Sequence, residues 1–197
     1  MSVELASQSV EDVLAAVAGR TPTPAAGSAA ALAIGFAASL VIKSARKAVG
    51  RVEEAERLLE RAEELRRRAE SLAERDAACY RTVVAAKRGD GDLSAALSEA
   101  IDIPLEIAEV GAELADGAAE LAARGKPWLR GDAYTGTLLA EAGTRAAAML
   151  VGLNLADGGW SSRNSQDGRG ERARWLAAAA AEARSRAGAA VESRSVR

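Results

Sequence analysis

Apolar positions recur at spacings of three and four along most of the chain, which predicts helices rather than strands. Val10, Leu14 and Val17 share one face of a short first helix beginning near Ser9. Ser9 with Asp12 fits an N-terminal cap, and Gly19 supplies the stop. Thr21-Pro22-Thr23-Pro24 follows as a rigid, extended lead-in, because a residue before proline is kept out of the α region. The second predicted helix covers about 25–49 and is apolar nearly all round as far as Ile42, the pattern of a central helix. Lys43, Arg46 and Lys47 charge its last turns, and Gly50 closes it. The third, about 52–88, carries the stripe Val52, Ala55, Leu58 and Leu59, Ala62, Leu65, Ala69 and Leu72. Asp76, Tyr80 and Val83 come next in the same register.

Gly89-Asp90-Gly91-Asp92 predicts a turn. A fourth helix follows over about 93–123, with Ile103, Ile107, Val110 and Gly111, Leu114, Ala118 and Leu121 inward. Pro104 lies inside it and is expected to kink or break it. After Gly125-Lys126-Pro127 a fifth helix is expected over about 132–155, with Leu138 and Leu139, Ala142, Met149 and Leu153 inward. A polar loop over 158–170, a last helix over about 171–187 and a frayed tail from about 188 complete the reading. Long helices joined by short turns predict an all-α, up-and-down multi-helical bundle forming a single domain over 1–197.

Composition sharpens this picture. About a quarter of the 197 residues are alanine and only 3% are aromatic, so the helices must pack closely through small side chains. The net charge is -2, without the basic excess of a general nucleic-acid binder, and no nucleic-acid partner is expected. A single cysteine forms no internal disulfide and builds no zinc cluster. With no histidine in the chain, acid–base chemistry falls to Asp, Glu, Lys, Tyr or Cys79, and no metal site is expected. Residues 1–20 carry Glu4, Glu11 and Asp12 and lack the pattern of a secretory leader. The run 25–42 is too short and too alanine-rich for a membrane span, so a cytoplasmic protein with no membrane partner is expected.

The stretch from Thr21 to Ala31, preceded by Ser9-Val10-Glu11-Asp12-Val13-Leu14, resembles the opening of the cyclodeaminase/cyclohydrolase family of tetrahydrofolate enzymes. The resemblance continues at Asp76-Ala77-Ala78-Cys79-Tyr80, Ile103-Pro104-Leu105, Gly131-Asp132-Ala133, 138–142, Arg145 and Asn154-Leu155, covering roughly 9–187. Ala25 and Ala26 stand where that family has glycine, Gly131 where it has serine and Lys126 where it has asparagine. The resemblance implies a cyclodeaminase-like fold, an intertwined homodimer with its site in a cleft, a small-molecule substrate and no cofactor beyond the folate itself. The implied reaction is hydrolysis of methenyltetrahydrofolate or cyclisation of formiminotetrahydrofolate with loss of ammonia. Recruitment of the fold to another cyclisation, dehydration or deamination, or to a non-catalytic helical dimer, stays open.

Several residues are candidates for the chemistry. Asp76 falls on an apolar stripe, where a carboxylate is costly unless it is functional, ion-paired or capping a neighbouring helix. Asp132 follows two chain breakers. It reads as an N-cap on its own, and the resemblance implies a functional acid there. Lys43 is the first charge after the apolar run, able to hold a carboxylate or polarise a leaving group, or simply to favour the helix C-terminal half. Thr23, Pro24, Gly27 and Ser28 open the second helix, where a folate carboxylate can meet backbone N–H groups; close helix packing wants the same small residues. Tyr80 can hydrogen-bond a ligand or join the core. Arg145 can bind a carboxylate or pair with Glu141 one turn back. The acidic run Asp102, Glu106, Glu109, Glu113, Asp116 and Glu120, spaced 4-3-4-3-4, reads as a solvated helix face or the footprint of a basic partner.

Overall fold

Ser9 accepts the backbone N–H of Asp12 at 3.1 Å and so starts the first helix as its sequence predicts. In the computed structural model residues 5–125, 127–157 and 168–193 are described, and among them the chain forms six α-helices and no strand. These are α1 (Val10–Val17), α2 (Ala26–Ala48), α3 (Ala55–Lys87), α4 (Leu93–Arg124), α5 (Pro127–Asp157) and α6 (Arg169–Glu192). Gly50, Gly89 and Gly91 take positive φ at the turns before α3 and α4, and Asp92 caps α4 by accepting from Ser94 and Ala95. Residues 158–167 of the expected loop and 194–197 of the expected tail lie outside the described residues. α6 itself persists to Glu192, past the expected end near 187.

Helices α2 to α5 pack in a ring, each against the next, with α5 closing back on α2; α6 lies in the groove between α4 and α5. The long stripe of α3 is buried at Ala55, Leu58, Ala62, Leu65, Ala69 and Leu72, facing Ile34, Val41, Ile107 and Leu114 in one core. Pro104 does not break α4. It is buried among Ile101, Ile103 and Ile107, whose packing holds both halves of a continuous helix.

Helix α5 departs most from the sequence reading. It begins at Pro127, a favourable first helical residue, so Asp132 stands inside the helix and is not its cap. Its inward face is Ala133, Gly136, Thr137, Ala140, Gly143, Thr144, Ala147 and Val151. Leu138, Ala142, Met149 and Leu153, expected inward, are exposed instead. The reason is proximity. A Cβ on Gly143 would stand 3.0 Å from the Ala30 carbonyl, and one on Gly136 would stand 3.2 Å from that of Ala37. The pairing of 143 with 30 and 136 with 37 also makes α2 and α5 antiparallel. Only small residues fit such a contact, so the bulky ones turn outward. The apolar face of α1 is likewise exposed, at Val10 and Leu14, beside an apolar groove of about 240 Å³ that also includes Leu32 and Phe36.

Candidate active site

Helix α2 begins without a cap of its own, since Ala25 offers no side-chain acceptor to its free N–H groups. Asp76 supplies one from α3. Its Oδ2 accepts the Ser28 backbone N–H at 2.7 Å and lies 2.8 Å from the Ser28 hydroxyl. That hydroxyl also lies 3.0 Å from the Ala73 carbonyl. A Cβ at position 27 would fall inside the Asp76 carboxylate, so glycine is required for the approach. Asp76 is half-buried with no cationic partner among the described residues, and burial pushes its carboxyl above the usual aspartate value while the two Ser28 hydrogen bonds pull it back down. Oδ1 takes no hydrogen bond among the described residues. The cluster is thus a capping carboxyl with one oxygen held and one free.

A second cluster stands at the other end of α2. Lys43 meets Asp132 of α5 at 2.8 Å, both partly exposed. Fifteen residues of helix separate Lys43 from Ser28, roughly 22 Å along the axis, so Asp76 and the Lys43–Asp132 pair do not form one site within a chain. Thr23 and Pro24 lead into the Asp76 end, joined by a cis peptide bond, and are half-buried. Tyr80 stands one turn beyond Asp76 on α3 and is exposed rather than in the core. Arg145 lies at the level of Ala30, close to the Asp76 end, but its head is mostly exposed and pairs with Glu141 at 3.3 Å. Ser28 is wholly buried, and its polar contacts go to Asp76 and Ala73.

Glu141 entered the sequence reading only as a salt-bridge partner for Arg145, and its burial was not foreseen. It is a carboxylate only 7% exposed on the inward side of α5. Its signal was the register 137, 141, 144, 148, hidden while the large apolar residues were assigned that side. Cys79 is buried, and its thiol is pushed up to about 11 by burial first and then by the charges of Glu99 and Asp76. It stays protonated and inert near neutral pH.

The acidic run on α4 finds its bases within the chain. Asp102, Glu109 and Asp116 pair with Arg169, Arg172 and Arg186 of α6, while Glu106, Glu113 and Glu120 pair with Arg75, Arg61 and Arg57 of α3. Spacing of 4-3-4-3-4 throws successive acids to alternate sides of the helix, and each side meets a different arginine row.

Comparison with known proteins agrees with this architecture. The model of the formiminotransferase-cyclodeaminase family matches residues 9–158. A crystal structure of formiminotetrahydrofolate cyclodeaminase from Thermotoga maritima superposes with a TM-score of 0.88 at 25% sequence identity, covering 96% of this chain and 98% of that one. No curated protein matches the chain in sequence. Family and structural neighbour together point to a folate cyclodeaminase, and the chain belongs to the formiminotransferase-cyclodeaminase family.

Proposed function

We propose that the protein closes 5-formiminotetrahydrofolate to the 5,10-methenyl form and releases ammonia, with Asp76 as acid and base. Asp76 carries this reading: a half-buried carboxyl at a helix start, with one oxygen held by Ser28 and, among the described residues, no cation beside it and the other oxygen free. N10 attacks the formimino carbon and a C–N10 bond forms. Protonated Asp76 gives its proton to the imine nitrogen during attack and takes the N10 proton from the adduct. It then returns that proton to the departing amine, so the C–N bond breaks with loss of ammonia. The product is the methenyl cation beside an ionised Asp76, and no cofactor takes part.

The working unit in this proposal is a cytoplasmic homodimer built on the outer face of α2 and α5. Phe36, Leu138 and Met149 are exposed there. Gly35 and Phe36 lie midway between positions 28 and 43, so a two-fold axis passing there across antiparallel α2 helices sets one copy's Lys43 beside the other's Asp76. Lys43, oriented by Asp132, then holds a substrate carboxylate or the leaving group, and Arg145 and Tyr80 border the same cleft with Thr23, Pro24 and Gly27.

Incubation with 5-formiminotetrahydrofolate tests the reading: methenyl absorbance and ammonia are expected to appear in equal amounts. If neither appears while methenyltetrahydrofolate is consumed, the protein is a cyclohydrolase. If both folates survive, the folate reading is overturned and the fold serves another ligand.

A further inference from the structure

We infer that Ser28 is a positioning residue: by holding Oδ2 of Asp76 with two donors, it leaves Oδ1 as the one oxygen through which every proton of the reaction passes. The inference rests on the Asp76 reading above and adds which atom of that carboxyl works. Oδ2 accepts the Ser28 backbone N–H at 2.7 Å and the Ser28 hydroxyl at 2.8 Å. Ser28 is wholly buried, so this edge of the carboxyl is turned into the fold. Oδ1 takes no hydrogen bond among the described residues, and it is the atom nearest to where a Cβ on Gly27 would stand. The carboxyl is thus anchored through Oδ2 and meets the bare side of Gly27 with Oδ1.

The Ser28 hydroxyl has one hydrogen to give. The Ala73 carbonyl, 3.0 Å away, lies inside α3, where its own helix supplies a donor, so that hydrogen goes to Oδ2. A proton on Oδ1 leaves Oδ2 as a carbonyl oxygen that still accepts both bonds, and Ser28 keeps its place whether Asp76 is neutral or ionised. One oxygen is enough for the chemistry, because in the tetrahedral adduct N10 and the departing amine are bonded to the same carbon. Oδ1 gives its proton to the imine nitrogen during attack, takes the N10 proton and passes it to the amine, while the carboxyl stays anchored. Other charged groups nearby have their own partners or lie apart. On α2 the described residues offer no charge before Lys43. On α3 Glu74 accepts from the Leu5 backbone, Arg75 is bound to Glu106 of α4, Cys79 is a buried thiol acted on by Glu99 of α4, and Tyr80 is exposed. On α5 Arg145 pairs with Glu141.

The test follows Ser28 and Asp76 by NMR of protein labelled at the aspartate carboxyl, with Asp76→Asn assigning the carbon signal. In wild type the Ser28 amide proton should shift with the Asp76 midpoint and stay protected from exchange on both sides of it. A Ser28 amide that loses protection once Asp76 is protonated puts the proton on Oδ2 and overturns the inference. In Ser28→Ala the Asp76 midpoint should move up, because the ionised form loses a charge-assisted hydrogen bond; in Ser28→Cys, a weaker donor, it should fall between the two. With 5-formiminotetrahydrofolate, Ser28→Ala should lower kcat roughly tenfold with KM little changed, and Ser28→Cys should recover part of the loss. The limb of kcat/KM that falls with rising pH should follow the NMR midpoint upward. An unmoved midpoint in folded Ser28→Ala, with any kcat loss tracking only lost stability, also overturns the inference. Should neither variant fold, the wild-type amide decides alone. The NMR measurements need no folate, so failure of the anchoring and failure of the proposed reaction are read separately.

Discussion

Asp76 caps one helix from another, and its cost and its use have the same origin. Burial raises its carboxyl above the ordinary aspartate value of 3.8. A folded-state value above the unfolded one adds stability at low pH, and that stability is lost as pH rises through the folded value. Asp76→Asn keeps an acceptor for Ser28 and removes the charge. Its Tm at neutral pH should therefore equal or exceed that of wild type, with the difference shrinking in acid; a large fall in Tm at neutral pH would contradict this account. Gly27→Ala should act oppositely, displacing the carboxylate it faces and destabilising by about 1–3 kcal/mol in urea unfolding. The position of Asp76 on an apolar stripe made it visible in sequence as a carboxylate needing a reason, and capping of a neighbouring helix was among the reasons available. That Ser28 would turn to Asp76 rather than to a ligand was not visible, because the contact joins residues 48 apart in sequence.

Backbone proximity decides the middle scale. Helices α2 and α5 meet through glycines, so Gly143→Ala should cost about 1–3 kcal/mol as its Cβ meets Ile34 and the Ala30 carbonyl. Gly152→Ala, with nothing within 4 Å, should gain about 0.5–1 kcal/mol from helix propensity. Equal effects in the two variants would contradict the packing argument. The stripes of α3 and α4 were legible because large aliphatic residues mark their inward faces. That of α5 was not, because its inward face is marked by the absence of bulk, which periodicity of large residues cannot register. Surface pairing has its own pH signature. Glu54 is held below the ordinary glutamate value of 4.5 first by its hydrogen bond to Arg124, and Glu64 first by its bond to Arg61. Depressed values add stability that is complete above 4.5 and is lost as pH falls through the folded-state values. Thermal scans should accordingly show Tm falling on acidification below about pH 4.5. A Tm that rises there would show that Asp76, with its opposite sign, outweighs the pairs.

At the scale of the whole molecule, the bundle separates its candidate groups to the two ends of α2 and leaves bulky apolar residues outside, at Phe36, Leu138, Met149 and Leu153. The proposed second copy would account for both features at once. Light scattering should give twice the chain mass, and Phe36→Glu should reduce it to one. The most direct test is complementation by mixing. Asp76→Asn and Lys43→Met are each expected to be folded and inactive alone on 5-formiminotetrahydrofolate. Unfolded together and refolded, they should recover about a quarter of wild-type turnover, because half the dimers are mixed and one site in each mixed dimer has both native groups. No recovery from two folded, inactive parents, or full activity in Asp76→Asn alone, would contradict a site made from Asp76 of one copy and Lys43 of the other.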